Sequence, residues 1–319
     1  MNSCKDEFEK IKVPDAAEVM IQRAISKGNR HLKQRRGLLS TLAAALVCVC
    51  FFSTGFASPT MAGVFVKLPV VGPIFEKFED SGLKNVSNKG LSEKKNLQVT
   101  SKGITVALKE VYYDKSGFSI GYIIKGDDAA NRQFGFVMLY NGKEDIPGGG
   151  GGYYDRISKD VYCGVITLRT GAKLPEKFNL RIVFTNNPDE KSPFDFTVPV
   201  SRKKADTATR EVILMKNFKS GDRSVLVKKA LITPESTTFQ LEYTRPENDS
   251  NFKFQLTDGH NKVITLKSVG GGTIESGKLI KDDCIVIFEP VDKQTQKLKL
   301  GILNGKGKSM ISMDISLNN

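Results

Sequence analysis

The chain has 319 residues, a formal net charge of +13 and a pI near 9.4, enough length for two or three domains. Trp is absent and only His31 and His260 occur, which excludes a multi-histidine metal centre and confines any His-based triad to those two. Five cysteines include no CxxC pair and indicate no disulfide framework.

The first element, residues 1–36, reads as a short amphipathic helix. Pro14 suits a first helical turn, and Asp15 and Glu18 sit where the positive end of the helix dipole favours acids. Val13, Ala17, Met20, Ile21, Ala24 and Ile25 recur at helical spacing and form one apolar face. A segment this short buries no core of its own, so that face needs a partner or a membrane surface; the alternative is a plain helical extension of the next element with no partner.

Residues 37–57, GLLSTLAAALVCVCFFSTGFA, carry no charge. About twenty apolar residues cross a bilayer as a helix. Arg23, Lys27, Arg30, Lys33, Arg35 and Arg36 precede them without an intervening acid, which places the N-terminus in the cytoplasm and the C-terminus outside. A cleaved signal peptide is the competing reading, but the n-region is too long for one. Residues 58–95 form a juxtamembrane segment rich in Gly, Lys and Ser, expected to pack poorly and to be open to proteolysis between Ser58 and Leu97.

From residue 96 onward the pattern turns to period two, with turn signals about every ten residues, as expected for an antiparallel sandwich. It then repeats. Phe118, Ile120 and Tyr122 match Phe239, Leu241 and Tyr243, and Cys163 matches Cys284. Self-similarity of this length implies two copies of one domain, residues 96–201 and 202–319. The predicted fold is therefore mainly β: one N-terminal amphipathic helix and one transmembrane helix, then two tandem antiparallel immunoglobulin-like β-sandwich domains.

Gly148–Gly152 suggest a phosphate cradle, but Tyr153, Tyr154 and Asp155 follow where a Lys-Ser/Thr pair is required. Gly270–Gly272 occupy the same place in the second copy, so the run is expected to be a loop of the fold, with Tyr153 and Tyr154 as a candidate recognition loop. Acids in KEVYYDKSG are expected at solvated strand ends, and those of Lys281-Asp282-Asp283 on alternating faces that cannot converge on one cation. No catalytic triad, carboxylate pair or metal cluster stands out, so the reading is non-enzymatic, without cofactor or metal. The basic balance suits an anionic cell-wall polymer or a protein outside the cell; nucleic acid is disfavoured because most of the charge lies outside.

Three stretches carry a family resemblance: Ile11-x-Val13-Pro14 before the basic cluster, the juxtamembrane SPTMAGVFVKLPVVGPIFEKFEDSGL, and the strand GITVALKEVYYD. Together they resemble the single-span Firmicute proteins, related to extracytoplasmic-function anti-sigma factors, that carry the domain of unknown function 4179. The second sandwich resembles the 5643-type domain that often follows it. The resemblance implies a membrane-anchored regulator whose inside helix sequesters a sigma factor while the outer domains sense envelope conditions. The alternative is an envelope or cell-wall binding module with a simple anchor and no sigma partner.

Overall fold

In the computed structural model, residues 72–126, 134–275 and 277–317 are described, and they fall within one compact unit, Gly63–Asn319. The predicted helix face from Val13 to Ile25 and the candidate span 37–57 lie outside the described residues. Among the described residues no helix is long and apolar enough to cross a membrane.

The protein is mainly β. Two short helices, α1 (Ile74–Lys77) and α2 (Ser81–Asn88), precede nine strands: β1 (Glu93–Ser101), β2 (Ile104–Asp114), β3 (Gly117–Lys125), β4 (Phe136–Asn141), β5 (Glu144–Asp145), β6 (Gly149–Ser158), β7 (Val161–Arg169), β8 (Lys177–Thr185) and β9 (Phe194–Ser201). One further helical turn, α3 (Lys203–Thr207), leads into nine more: β10 (Arg210–Ser220), β11 (Arg223–Ile232), β12 (Thr237–Pro246), β13 (Phe252–Asp258), β14 (Val263–Ile264), β15 (Leu266–Glu275), β16 (Leu279–Phe288), β17 (Lys297–Asn304) and β18 (Ser309–Ser316).

The first nine strands form sheets of order β1-β2-β3-β7-β6 and β5-β4-β8-β9; the second nine repeat this as β10-β11-β12-β16-β15 and β14-β13-β17-β18. Every pairing is antiparallel. Leaving out the added first strand, the order is the A-B-E-D and C′-C-F-G arrangement of immunoglobulin domains. The cause is local: β9 alternates buried Phe194, Phe196, Val198 and Val200 with exposed residues, so only one face can turn inward. Val106, Leu108, Ile120, Ile182 and Phe184 from the two facing sheets close the first core; Val227, Leu241, Val286, Leu300 and Met313 close the second.

A third core distinguishes the copies. β2 is buried on both faces, whereas β11 is not. The outer face of the first domain's larger sheet, through Ala107, Tyr112, Ile123, Cys163 and Val165, is covered by Ile74, Phe75, Phe78, Leu83 and Val86 of the helical segment. Burying each of those five side chains contributes roughly 1.5–3 kcal/mol. The expectation of a poorly packed segment through residue 95 is thus overturned for its helical part. The apolar spacing Ile74, Phe75, Phe78, Leu83, Val86 is that of a covering helix pair.

The register also corrects one repeat equivalence. Cys163 pairs with Ile123 and faces the helices, while Cys284 pairs with Leu241 and faces the second inner core. Leu241 corresponds to Ile120, and Ile120 pairs with Ile166, so Ile166 is the counterpart of Cys284. Successive residues on a strand point to opposite faces, and a three-residue slip in the alignment changes the face. Both thiols are buried and free. Burial pushes both thiols up, Cys284 to about 11.

Candidate functional site

The site grows from a difference between two equivalent hairpins. β2 and β3 close through Lys115 and Ser116, between the paired residues Asp114 and Gly117. β11 and β12 close through the longer Thr233-Pro234-Glu235-Ser236, between Ile232 and Thr237. Thr233 Oγ1 accepts the N–H groups of Glu235 and Ser236, holding the longer loop in shape. Its extra length carries Glu235 into the first domain. There Glu235 Oε1 accepts Arg169 Nη2 at 2.6 Å and Ser119 Oγ at 2.9 Å, and Oε2 accepts Arg169 Nη1 at 3.2 Å.

Arg169 ends β7, and its Nη1 also donates to Ser116 Oγ at 2.9 Å. Glu235 has no exposed surface. Burial alone pushes its carboxyl up, but the charges of Arg169 and Lys267 and the bonds from Arg169 and Ser119 outweigh burial and hold it below the usual carboxylate range. Opposite it, Glu235 raises the Arg169 guanidinium despite its burial.

Helix α2 joins the same junction. Asp80 caps it, Oδ1 accepting Leu83 N–H at 2.9 Å, while Oδ2 pairs with Lys267 Nζ of the second domain at 2.6 Å. Asn85 Nδ2 donates to the Pro234 carbonyl at 2.6 Å, and Ser81 Oγ donates to Glu289 Oε2. Gly82 permits the approach: a Cβ there would stand 2.0 Å from the Glu235 carbonyl oxygen. On the first domain, Glu110 Oε1 accepts Phe75 N–H at 2.7 Å and so ties α1 to the sheet. Burial raises the Glu110 carboxyl against the bonds from Phe75, Ser92 and Ile74. Glu110 and Asp114 are both buried, which corrects the expectation that the acids of KEVYYDKSG are solvated; the first anchors a helix and the second folds the β2–β3 turn by accepting Ser116 and Gly117 N–H.

Beside this junction a cleft of about 870 Å³ separates the β6 edge of the first domain from the outer face of the second domain's larger sheet and β15. Gly149–Gly152 and Gly270–Gly271 both line it. The glycine run is therefore an edge strand; the loop expected here, with Tyr153 and Tyr154 in it, is corrected to β6. The two runs are equivalent by register, since Gly152 pairs with Ile166 and Gly271 with Cys284. A Cβ on Gly150 or Gly271 would meet the carbonyl oxygen of Thr167 or Asp283 at 1.9 Å, whereas Gly149, Gly151, Gly270 and Gly272 face open space. Tyr153 and Tyr154 remain exposed on the strand, and Tyr153 lies 6.0 Å from Phe78 between ring centroids.

Asp282 and Asp283 diverge as alternation requires: Asp282 accepts Arg245 Nε at 2.8 Å, and Asp283 accepts Lys228 Nζ at 2.9 Å. Sequence reasoning missed Arg169, Glu235 and Asp80, each of which reads as an ordinary charge at a strand end, turn or helix cap. The available signal was the longer PES hairpin in the second copy.

These features define a class of protein: two tandem immunoglobulin-order domains locked by a buried ion pair and by a helical segment that packs on one and binds the other. Residues 32–126 match the family model of the domain of unknown function DUF4179, an interval that ends with β3. Among solved structures the chain is similar to "The crystal structure of the conserved domain protein from Bacillus anthracis", at 16% identity and a TM-score of 0.56, over 78% of this chain and 100% of that one. That likeness is one of fold. No curated protein matches the chain.

Proposed function

We propose that this is a non-catalytic, single-span membrane regulator of the anti-sigma type, with its N-terminus in the cytoplasm. The helix face of Val13, Ala17, Met20, Ile21, Ala24 and Ile25 holds an extracytoplasmic-function sigma factor, and the two outer domains read an envelope condition. The observation that carries this reading is the position of Pro73–Leu91, the first described segment after the apolar stretch at 37–57. It contacts both outer domains, through the third core on one side and through Asp80, Ser81 and Asn85 on the other. A change in how the domains meet is therefore felt by the chain that leads towards the span. An anchor that merely tethers a wall-binding module has no need of such a segment.

Two measurements test the reading. An export-dependent reporter is active when fused after Asn319 and silent when fused at Arg30. Immobilised residues 1–36 retain a purified sigma factor of the same cell, and lose it when Met20 and Ile21 are both changed to Asp. Failure to retain any sigma factor leaves the envelope-binding alternative in its place.

A further inference from the structure

We propose that the cleft receives an extended acidic polypeptide segment, which pairs as an added strand on the β6 edge. This deepens the reading of the outer domains as a receiving module and rests on it.

Sheet edges in natural proteins are normally protected by bulges, lysines or prolines. β1 and β10, at the far edges of the two larger sheets, are each bulged, and β1 carries Lys94 and Lys95. β6 is different. Its only register shift lies at the far end, between Arg156 and Ser158; from Gly149 to Arg156 it pairs with β7 without a break, and it contains no lysine or proline. Its other side has no strand partner among the described residues. Four successive glycines leave the open edge without side chains, so that another backbone can approach closely. An edge offers N–H and C=O groups alternately, and a polypeptide strand matches both; a phosphate polymer or a glycan does not reproduce that alternation.

Charge selects among peptides. Six basic and two acidic side chains line the cleft, and Arg169, Arg202 and Lys267 among them are paired with Glu235, Asp206 and Asp80. Lys115 and Lys229 share a single carboxylate, Glu211, at 3.2 and 3.1 Å. Lys173 is exposed and has no acidic partner among the described residues. Cationic charge is therefore in excess on the lining. On the second domain's wall, Thr238 is 6% exposed and its buried Oγ1 lacks a hydrogen-bond partner among the described residues. Leu231 and Ile287, its partners on the two adjacent strands, supply apolar surface. The complement is a strand with carboxylates on one face and aliphatic side chains on the other.

The test uses the full chain, purified in detergent, and a labelled octapeptide of alternating Glu and Val followed by fluorescence anisotropy. Binding is expected to saturate and to weaken roughly fivefold in Lys173→Glu. Backbone N-methylation of one alternating set of peptide residues is expected to weaken it at least about tenfold, while methylation of the other set leaves it unchanged, because only one side of an added strand pairs. The exposed Lys173→Gln serves where the charge reversal disturbs folding. No saturable binding overturns the proposal. So does equal tolerance of both methylated sets, or equal competition by inorganic polyphosphate, either of which identifies a general polyanion surface. Sigma-factor capture by residues 1–36 is measured separately, so failure here is distinguishable from failure of the proposed function.

Discussion

Glu235 Oε1 lies 2.6 Å from Arg169 Nη2 across the boundary between the two domains, with Glu235 wholly buried. A buried pair gains little net stability over an apolar replacement, but removing one member strands the other charge. The pair accordingly fixes how the domains meet. Glu235→Ala is expected to destabilise the protein by about 3–5 kcal/mol. Adding Arg169→Leu recovers much of that loss, because the unpaired guanidinium is then gone. Urea unfolding of the two variants decides it; equal loss in the single and double variants would contradict the argument.

The same pair sets a pH response. The Glu235 carboxyl is held below its ordinary value of 4.5. A depressed carboxylate contributes stability that is fully present above the unfolded value and is lost as pH falls through the folded one. The junction is therefore expected to be intact at neutral pH and to loosen only in acid below about 4.5. Glu110 acts in the opposite sense, since its raised carboxyl favours the folded state as pH falls. Small-angle scattering on a pH series separates them: domain separation should increase in acid for the natural protein, and Glu235→Gln should remove that acid step.

Gly82 makes a sharper test of the helix contact. A methyl group at this position meets the Glu235 carbonyl, which is backbone and anchored by its own hairpin. In an exposed helix interior, Gly→Ala stabilises by up to about 1 kcal/mol. Here the sign reverses, and Gly82→Ala is expected to lower the melting temperature and to raise hydrogen exchange in both α2 and the Thr233–Ser236 loop. Exchange confined to α2 would show that the helix does not grip the hairpin.

The repeat and the strand pattern were legible because period-two alternation reports which face is buried, and Phe118, Ile120, Phe239 and Leu241 each face the inner core as their spacing implies. Cys163 and Cys284 share a residue type but not a register position, and residue identity alone does not report register. The glycine runs are equivalent, as the repeat implies, but they are strands where a loop is expected, since Gly-rich sequence lacks the side chains that mark a strand. Arg169 and Glu235 were illegible for another reason. They are far apart in sequence, and nothing in a turn such as Pro234-Glu235-Ser236 says that a second domain will bury it.

The last prediction concerns proteolysis. Composition makes residues 58–95 look open to proteolysis between Ser58 and Leu97, but Ile74, Phe75, Leu83 and Val86 are each 0–1% exposed, and α1 and α2 are closed against the first domain. Proteases cut exposed, locally unfolded chain, so attack at Lys77 or Lys84 requires that this pair of helices first opens. Trypsin is therefore expected to cleave there slowly in the natural protein. Phe75→Asp buries an unpaired charge in the third core and should speed cleavage at both lysines by at least about tenfold, through the larger open population. Mass spectrometry of timed digests gives the two rates. If Lys77 and Lys84 are cut equally fast in both proteins, the helices are not held by that core. If they are cut only in the variant, a cut within Pro73–Leu91 during signalling must be preceded by release of the helices from the third core.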